Sequence, residues 1–174
     1  DLSNHYRDGL DFFHEEFIPH LKTRLSELSG GIWSFDDFDA FAAGSDVDLM
    51  THIVDGVASD QKVTLFPGGW DGFLVGTSQR QLLEWSSEST GSLACLCVPS
   101  VRNGHLTKEM AEFLARAESC LLNINLYPTL TAAERVLVAR RIEPYLNKSI
   151  LSVSFSRGFG LTASQLGVIL VPKS

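Results

Sequence analysis

Apolar residues recur three or four positions apart at Leu10, Phe13, Phe17, Leu21 and Leu25, which predicts a helix from Tyr6 to Leu28. Ser29-Gly30-Gly31 stops it, and Pro19 inside it predicts a kink or a split. From there the pattern changes. Short apolar runs at Phe38–Ala43, Val63–Phe66, Leu93–Val98, Cys120–Asn125, Ile150–Phe155 and Leu166–Val171 alternate with stretches of helical period. The helical stretches are Asp46–Ala58, Gln79–Glu84, Lys108–Ala117 and Ala132–Leu146, and Thr131 with Glu134 forms a capping-box pair at the start of the last. Continuous apolar strands between helices predict an α/β protein, a three-layer α/β/α sandwich with a mostly parallel sheet. Leu93–Val98, Cys120–Asn125 and Ile150–Phe155 are expected side by side and parallel. Leu166–Val171 is expected antiparallel beside the last of them, because the Arg157–Gln165 connection is too short for a crossover helix.

Ligands bind at the carboxyl ends of the strands in such a sheet. That places any site in Gly44-Ser45-Asp46, Pro67-Gly68-Gly69-Trp70, Pro99 to Gly104, Tyr127 and Ser154 to Gly160. The chain has 174 residues, 44% hydrophobic and 20% charged, which excludes wholesale disorder and fits one core. A net charge of −7 excludes a basic nucleic-acid footprint and disfavours anionic membranes. No apolar run is long enough to cross a bilayer, and the N-terminus, which begins without Met, has no signal-peptide pattern. Cys95, Cys97 and Cys120 lie in strand-like runs and read as reduced packing residues of a cytoplasmic protein.

Ser152-Val153-Ser154-Phe155-Ser156-Arg157-Gly158-Phe159-Gly160-Leu161-Thr162-Ala163-Ser164-Gln165-Leu166-Gly167 is the most informative stretch. It resembles the lysine segment of class I/II aminotransferases, fold-type I pyridoxal-phosphate enzymes, which reads Ser-x-Ser-Lys-x-x-Gly-Leu and then Gly-x-Arg-x-Gly. Other pieces fall in the family's order. Ala43-Gly44-Ser45-Asp46 looks like the loop that holds the cofactor phosphate, and helix N-terminal amides suit an anion. Pro67 resembles the proline after the next strand. Val98 to Gly104 looks like the Asn-Pro-Thr-Gly turn, and Leu122 to Tyr127 like the Asp-Glu-x-Tyr strand end. The resemblance runs from about Phe38 to Pro172. It implies the large-domain fold, with residues 1–31 as an N-terminal helical segment and 32–174 as the aminotransferase-like domain, within one globular unit.

The departures change what the resemblance implies. Arg157 stands at the position of the cofactor lysine, and an always-protonated guanidinium cannot form a Schiff base. The ring-nitrogen Asp aligns with Ile124, the turn Asn with Val101, and the phosphate Arg with Gln165. Gly44, Ser45, Asp46, Trp70, Tyr127, Ser154, Arg157 and Gln165 are then expected to form a vestigial cofactor pocket, with no catalytic residue and no metal ligand. Some have a plainer alternative: packing for Trp70 and Tyr127, turn capping for Ser154 and its neighbour Ser156, and structural pairing with a carboxylate or a strand-end carbonyl for Arg157. No cofactor is expected, although weak binding of pyridoxal phosphate is left open. The implied function is an aminotransferase-like pseudoenzyme or a ligand- or partner-binding domain. The alternative is an atypical enzyme of the family that binds the cofactor weakly or runs other chemistry in the same pocket. A homodimer or a partner protein is expected, with room for a small anionic ligand. The chain ends at Ser174, before the smaller C-terminal domain with which family members continue.

The remaining candidates are weaker. His14, Glu15, Glu16 and His20 lack the zinc-protease spacing, Asp36, Asp37 and Asp39 read as a solvated acidic face or a helix cap, and Cys95-x-Cys97 has no second ligand cluster nearby. His52 and His105 have no nucleophile pattern beside them.

Overall fold

The computed structural model describes residues 9–43, 45–58, 60–74, 77–100, 104–156, 159–160 and 166–173. The first helical segment changes its winding at the proline. Phe12–Phe17 is a π-helical turn, and α1 (Ile18–Leu28) follows with Pro19 in its first turn. Proline cannot donate into the i−4 ladder and its ring crowds the preceding turn, and the wider π turn accommodates both. α1 ends where Gly30 and Gly31 take φ of 72° and 77°, a conformation glycine reaches without strain. Their N–H groups donate to the Glu27 and Ser26 carbonyls.

Seven strands then form one sheet in the order β1-β7-β6-β5-β4-β2-β3. They are β1 (Phe38–Ala43), β2 (Lys62–Leu65), β3 (Leu83–Trp85), β4 (Ser92–Cys97), β5 (Ser119–Asn123), β6 (Ser149–Ser154) and β7 (Gly167–Pro172). β4, β5 and β6 are adjacent and parallel, as the apolar runs predict. β7 runs antiparallel to β6 on one side and to β1 on the other. β1 therefore points the same way as β6, and its carboxyl end opens on the same sheet edge.

Helices cover both faces. α1, α3 (Lys108–Arg116) and α4 (Ala132–Ile142) share a core with Ala94, Leu96, Cys120, Leu122 and Val153. α2 (Asp46–Ala58) covers the other face, where Met50, Val54 and Ala58 meet Val63, Leu93, Leu121 and Ile169. Thr107 caps α3, and Thr131 with Glu134 makes a reciprocal capping box on α4. α4 stops at Ile142. Residues 143–148 continue as a 3-10 helix, with Pro144 in its first turn ending the regular α pattern.

One expected element is different. Gln79–Glu84 is not a helix: Arg80–Leu82 makes a single 3-10 turn, and Leu83–Trp85 is an edge strand parallel to β2. Three residues, of which Glu84 and Trp85 are exposed and Leu83 is half-buried, carry no burial alternation that the sequence could display. The apolar N-terminal face is also covered partly by its own chain. Phe13 stacks on Phe17, and Phe17 meets Phe155 at 5.4 Å, while Phe12 stays 55% exposed.

None of the three cysteines forms a disulfide. Burial pushes the Cys120 thiol up to about 11, and Cys95 rises still further for the same reason. A raised folded-state pKa gives stability that is whole below the unfolded thiol value near 9 and is lost as pH climbs toward 11. Urea titrations between those limits are expected to lose stability with pH, and Cys120→Ala should remove about 1.4 kcal/mol per pH unit of that slope. An unchanged slope in the variant would show that Cys120 ionises freely in the fold.

Candidate functional site

The carboxyl ends of β1, β2, β4, β5 and β6 lie on one sheet edge, and α2 begins there directly after β1. Ser45 caps it: the Ser45 Oγ accepts the Asp48 N–H at 3.1 Å. Asp46 is the first residue of α2. The first turn of this 13-residue helix presents N–H groups and the positive end of its dipole to that edge. Gly44, Arg157 and Gln165 lie outside the described residues, as does the side chain of Asp46.

Trp70 follows β2 through a tight turn. Gly68 takes a φ of 71°, and the Gly69 N–H donates to the Phe66 carbonyl at 2.9 Å. The half-buried Trp70 ring packs with the α2-side core and meets Phe73 edge-on at 5.2 Å. Gly72 sits against the ring so closely that a Cβ there would fall 1.9 Å from it. That close approach fixes the orientation of the indole.

Strand alternation decides what lines the rest of the edge. Cys97, Asn123 and Ser152 pair across β4, β5 and β6, and Ser152 pairs with Ile169 on β7. Cys97 and Ile169 belong to the α2-side core, so Asn123 and Ser152 share that face. Ser154, two residues on, follows them at the end of β6. The Ser154 N–H donates to the Asn125 Oδ1 at 2.6 Å, and its hydroxyl shares a hydrogen bond with the Ser156 hydroxyl at 2.8 Å. Ile124 faces the other way, buried in the core of α1, α3 and α4.

Tyr127 sits in that same opposite core. It is fully buried, stacks on Trp33 at 4.6 Å, and its hydroxyl donates to the Arg135 carbonyl at 3.0 Å. Burial drives its phenol well above the ordinary range, so it stays protonated. The fold thus brings Ser45, Trp70 and Ser154 to the α2 side and commits the Tyr127 hydroxyl elsewhere. Asn123, Asn125 and Ser152 were not among the residues singled out from the sequence. Their signal was present: polar residues two apart at Asn123/Asn125 and Ser152/Ser154 within otherwise apolar strands.

The sequence matches no protein-family model and no curated protein. Solved structures do match the fold. An aromatic-amino-acid aminotransferase from Burkholderia pseudomallei, covalently bound to pyridoxal phosphate, superposes with a TM-score of 0.65 at 14% identity, over 88% of this chain and 47% of that one. An aromatic amino acid aminotransferase from Burkholderia cenocepacia J2315 gives 0.64 at 11% identity, over 87% and 47%. The aspartate aminotransferase from Trypanosoma cruzi gives 0.62 at 15% identity, over 86% and 47%. The fold is that of the aminotransferase large domain. The chain spans about half the length of these aminotransferases.

This result corrects one expectation. No cofactor was expected, yet a solved structure on the same aminotransferase fold carries pyridoxal phosphate covalently, and that expectation is withdrawn.

The Gly72–Trp70 contact can be tested directly. Gly72→Ala should push the indole from its place, because a methyl cannot share its space, at a cost of about 1–3 kcal/mol. The near-ultraviolet circular dichroism of the tryptophans is expected to change with it. An unchanged spectrum and midpoint would show that the ring is not held by Gly72.

Proposed function

We propose that this chain is a pyridoxal-phosphate-binding domain of aminotransferase fold that holds its cofactor without a covalent bond and has lost the family's transamination chemistry. The observation that carries the reading is the neutral polar lining of Asn123, Ser152 and Ser154 on the face covered by the Ser45-capped α2. The phosphate suits the α2 N-terminus and the Ser45 hydroxyl, and the Trp70 indole offers an aromatic face to the ring. When bound, pyridoxal phosphate supplies an aldehyde and an electron-withdrawing ring. The chain's own residues bind and orient it. Arg157, in the lysine position, contributes a fixed positive charge and no nucleophilic amine. Gln165, in the place of the phosphate arginine, removes a bidentate cation.

A second copy of the chain belongs to this reading. β1 is an edge strand, and its Phe41, 54% exposed, borders an apolar groove of about 360 Å³ with Leu49, Ile53 and Val171. Surfaces of this kind are characteristically covered in an assembly. The reduced, buried thiols fit a cytoplasmic setting.

Titration with pyridoxal phosphate is expected to quench tryptophan fluorescence saturably. Borohydride reduction and peptide mapping should then find no pyridoxyl group in the 152–167 segment, and amino-group exchange should be absent. Arg157→Lys alone should recover little exchange, because the ring and phosphate anchors are still altered. The same sample is expected to sediment as twice the chain's 19.1 kDa. A reduced adduct on a lysine of the cleft, or measurable transamination by the native chain, would sink the reading; a clean monomer would remove its dimeric part.

A further inference from the structure

A cavity of about 560 Å³ opens between α1 and the segment 34–36 that leads into β1. Ser45, Trp70 and Ser154 are not among its walls. Ile18, Pro19 and Phe35 give it an apolar side. The half-buried Lys22 also lines it, and its Nζ donates to the Phe38 carbonyl at 2.6 Å. Among the described residues this amine makes no ion pair, whereas Lys62 and Lys108 pair with Glu84 and Glu112. Burial of the Lys22 ammonium, with Lys173 nearby, holds its pKa below the ordinary lysine value, against the opposing pull of Asp39 and Asp36. His14 and Glu27 are the other titratable groups at the cavity, and Glu27 is already paired with Arg24 at 3.0 Å.

We infer that Lys22 is a reactive amine that takes small uncharged aldehydes into this cavity as a reversible imine. A lysine is a nucleophile only as the free amine, and desolvation beside a second cation is what frees it. The Lys22 nitrogen attacks the aldehyde carbon, and the carbonyl oxygen leaves as water with the two amine hydrogens. The imine nitrogen then takes a proton from solvent, and its N–H keeps the Phe38 carbonyl as acceptor. Charge selects the ligand. Asp36 and Glu27 stand on the cavity walls, so an aldehyde that carries a carboxylate or a phosphate meets like charge there. The site is therefore independent of the proposed pyridoxal-phosphate function.

The test incubates the native chain with benzaldehyde or with 4-carboxybenzaldehyde, adds cyanoborohydride, and follows each modified lysine by peptide mapping. With benzaldehyde at neutral pH, Lys22 is expected to react severalfold faster than Lys62 and Lys108, and its rate should level off at lower pH than theirs. Measured relative to Lys108, its rate with 4-carboxybenzaldehyde should be severalfold lower. Lys22→Arg keeps the charge and a donor for the Phe38 carbonyl; it should lose this one adduct and leave the labelling of the other lysines unchanged. Equal rates at Lys22 and Lys62, coincident pH profiles, or no discrimination against the carboxylated aldehyde would overturn the inference. None of these results bears on pyridoxal-phosphate binding, so the proposed function stands or falls separately.

Discussion

Side chains on a strand alternate between two faces, and neighbouring strands in register must agree on which face is which. In β5 and β6 this constraint separates two environments one residue apart. Leu122, Ile124, Val153 and Phe155 build the dry core under α1, α3 and α4. Asn123 and Ser152 turn to the side of α2. A one-residue slip of β5 would bury an amide among the apolar groups under α1, α3 and α4 and turn Ile124 to the α2 side. The polar lining and the core are therefore fixed together, and a substitution that alters one register position acts on both.

The remaining parts of this sheet edge rest on similarly local causes. α2 starts where it does because Ser45 satisfies the Asp48 N–H, and an anion-favouring helix end follows from that cap. Trp70 stands where it does because Gly72 has no side chain to displace it. β7, antiparallel between β1 and β6, brings the carboxyl end of β1 to the edge that β6 opens on. None of these causes requires a lysine.

Much of this was legible in the sequence where the pattern is long enough to read. Phe38–Ala43 and Asp46–Ala58 begin and end where the pattern predicts, because a largely apolar run and a 3.6-residue period leave little ambiguity. β3 was not legible: it is a three-residue edge strand held by pairing with β2, and no periodicity can report that. Tyr127 shows the limit of motif reading. It occupies a familiar place in the chain, but its hydroxyl bonds to the nearby Arg135 carbonyl and its ring stacks on Trp33, a residue far away in sequence. Asn123 shows the converse, since its role depends on which face of β5 it occupies and on the registers of β4 and β6.

The central proposal is that this domain holds pyridoxal phosphate through non-covalent contacts alone. Phosphorus NMR of the native chain with the cofactor tests it most directly. The account predicts a distinct bound phosphate resonance that disappears completely on dialysis, with all the cofactor recovered unchanged. A spectrum showing only free cofactor, or a phosphate signal that survives dialysis and denaturation with the protein, would contradict it.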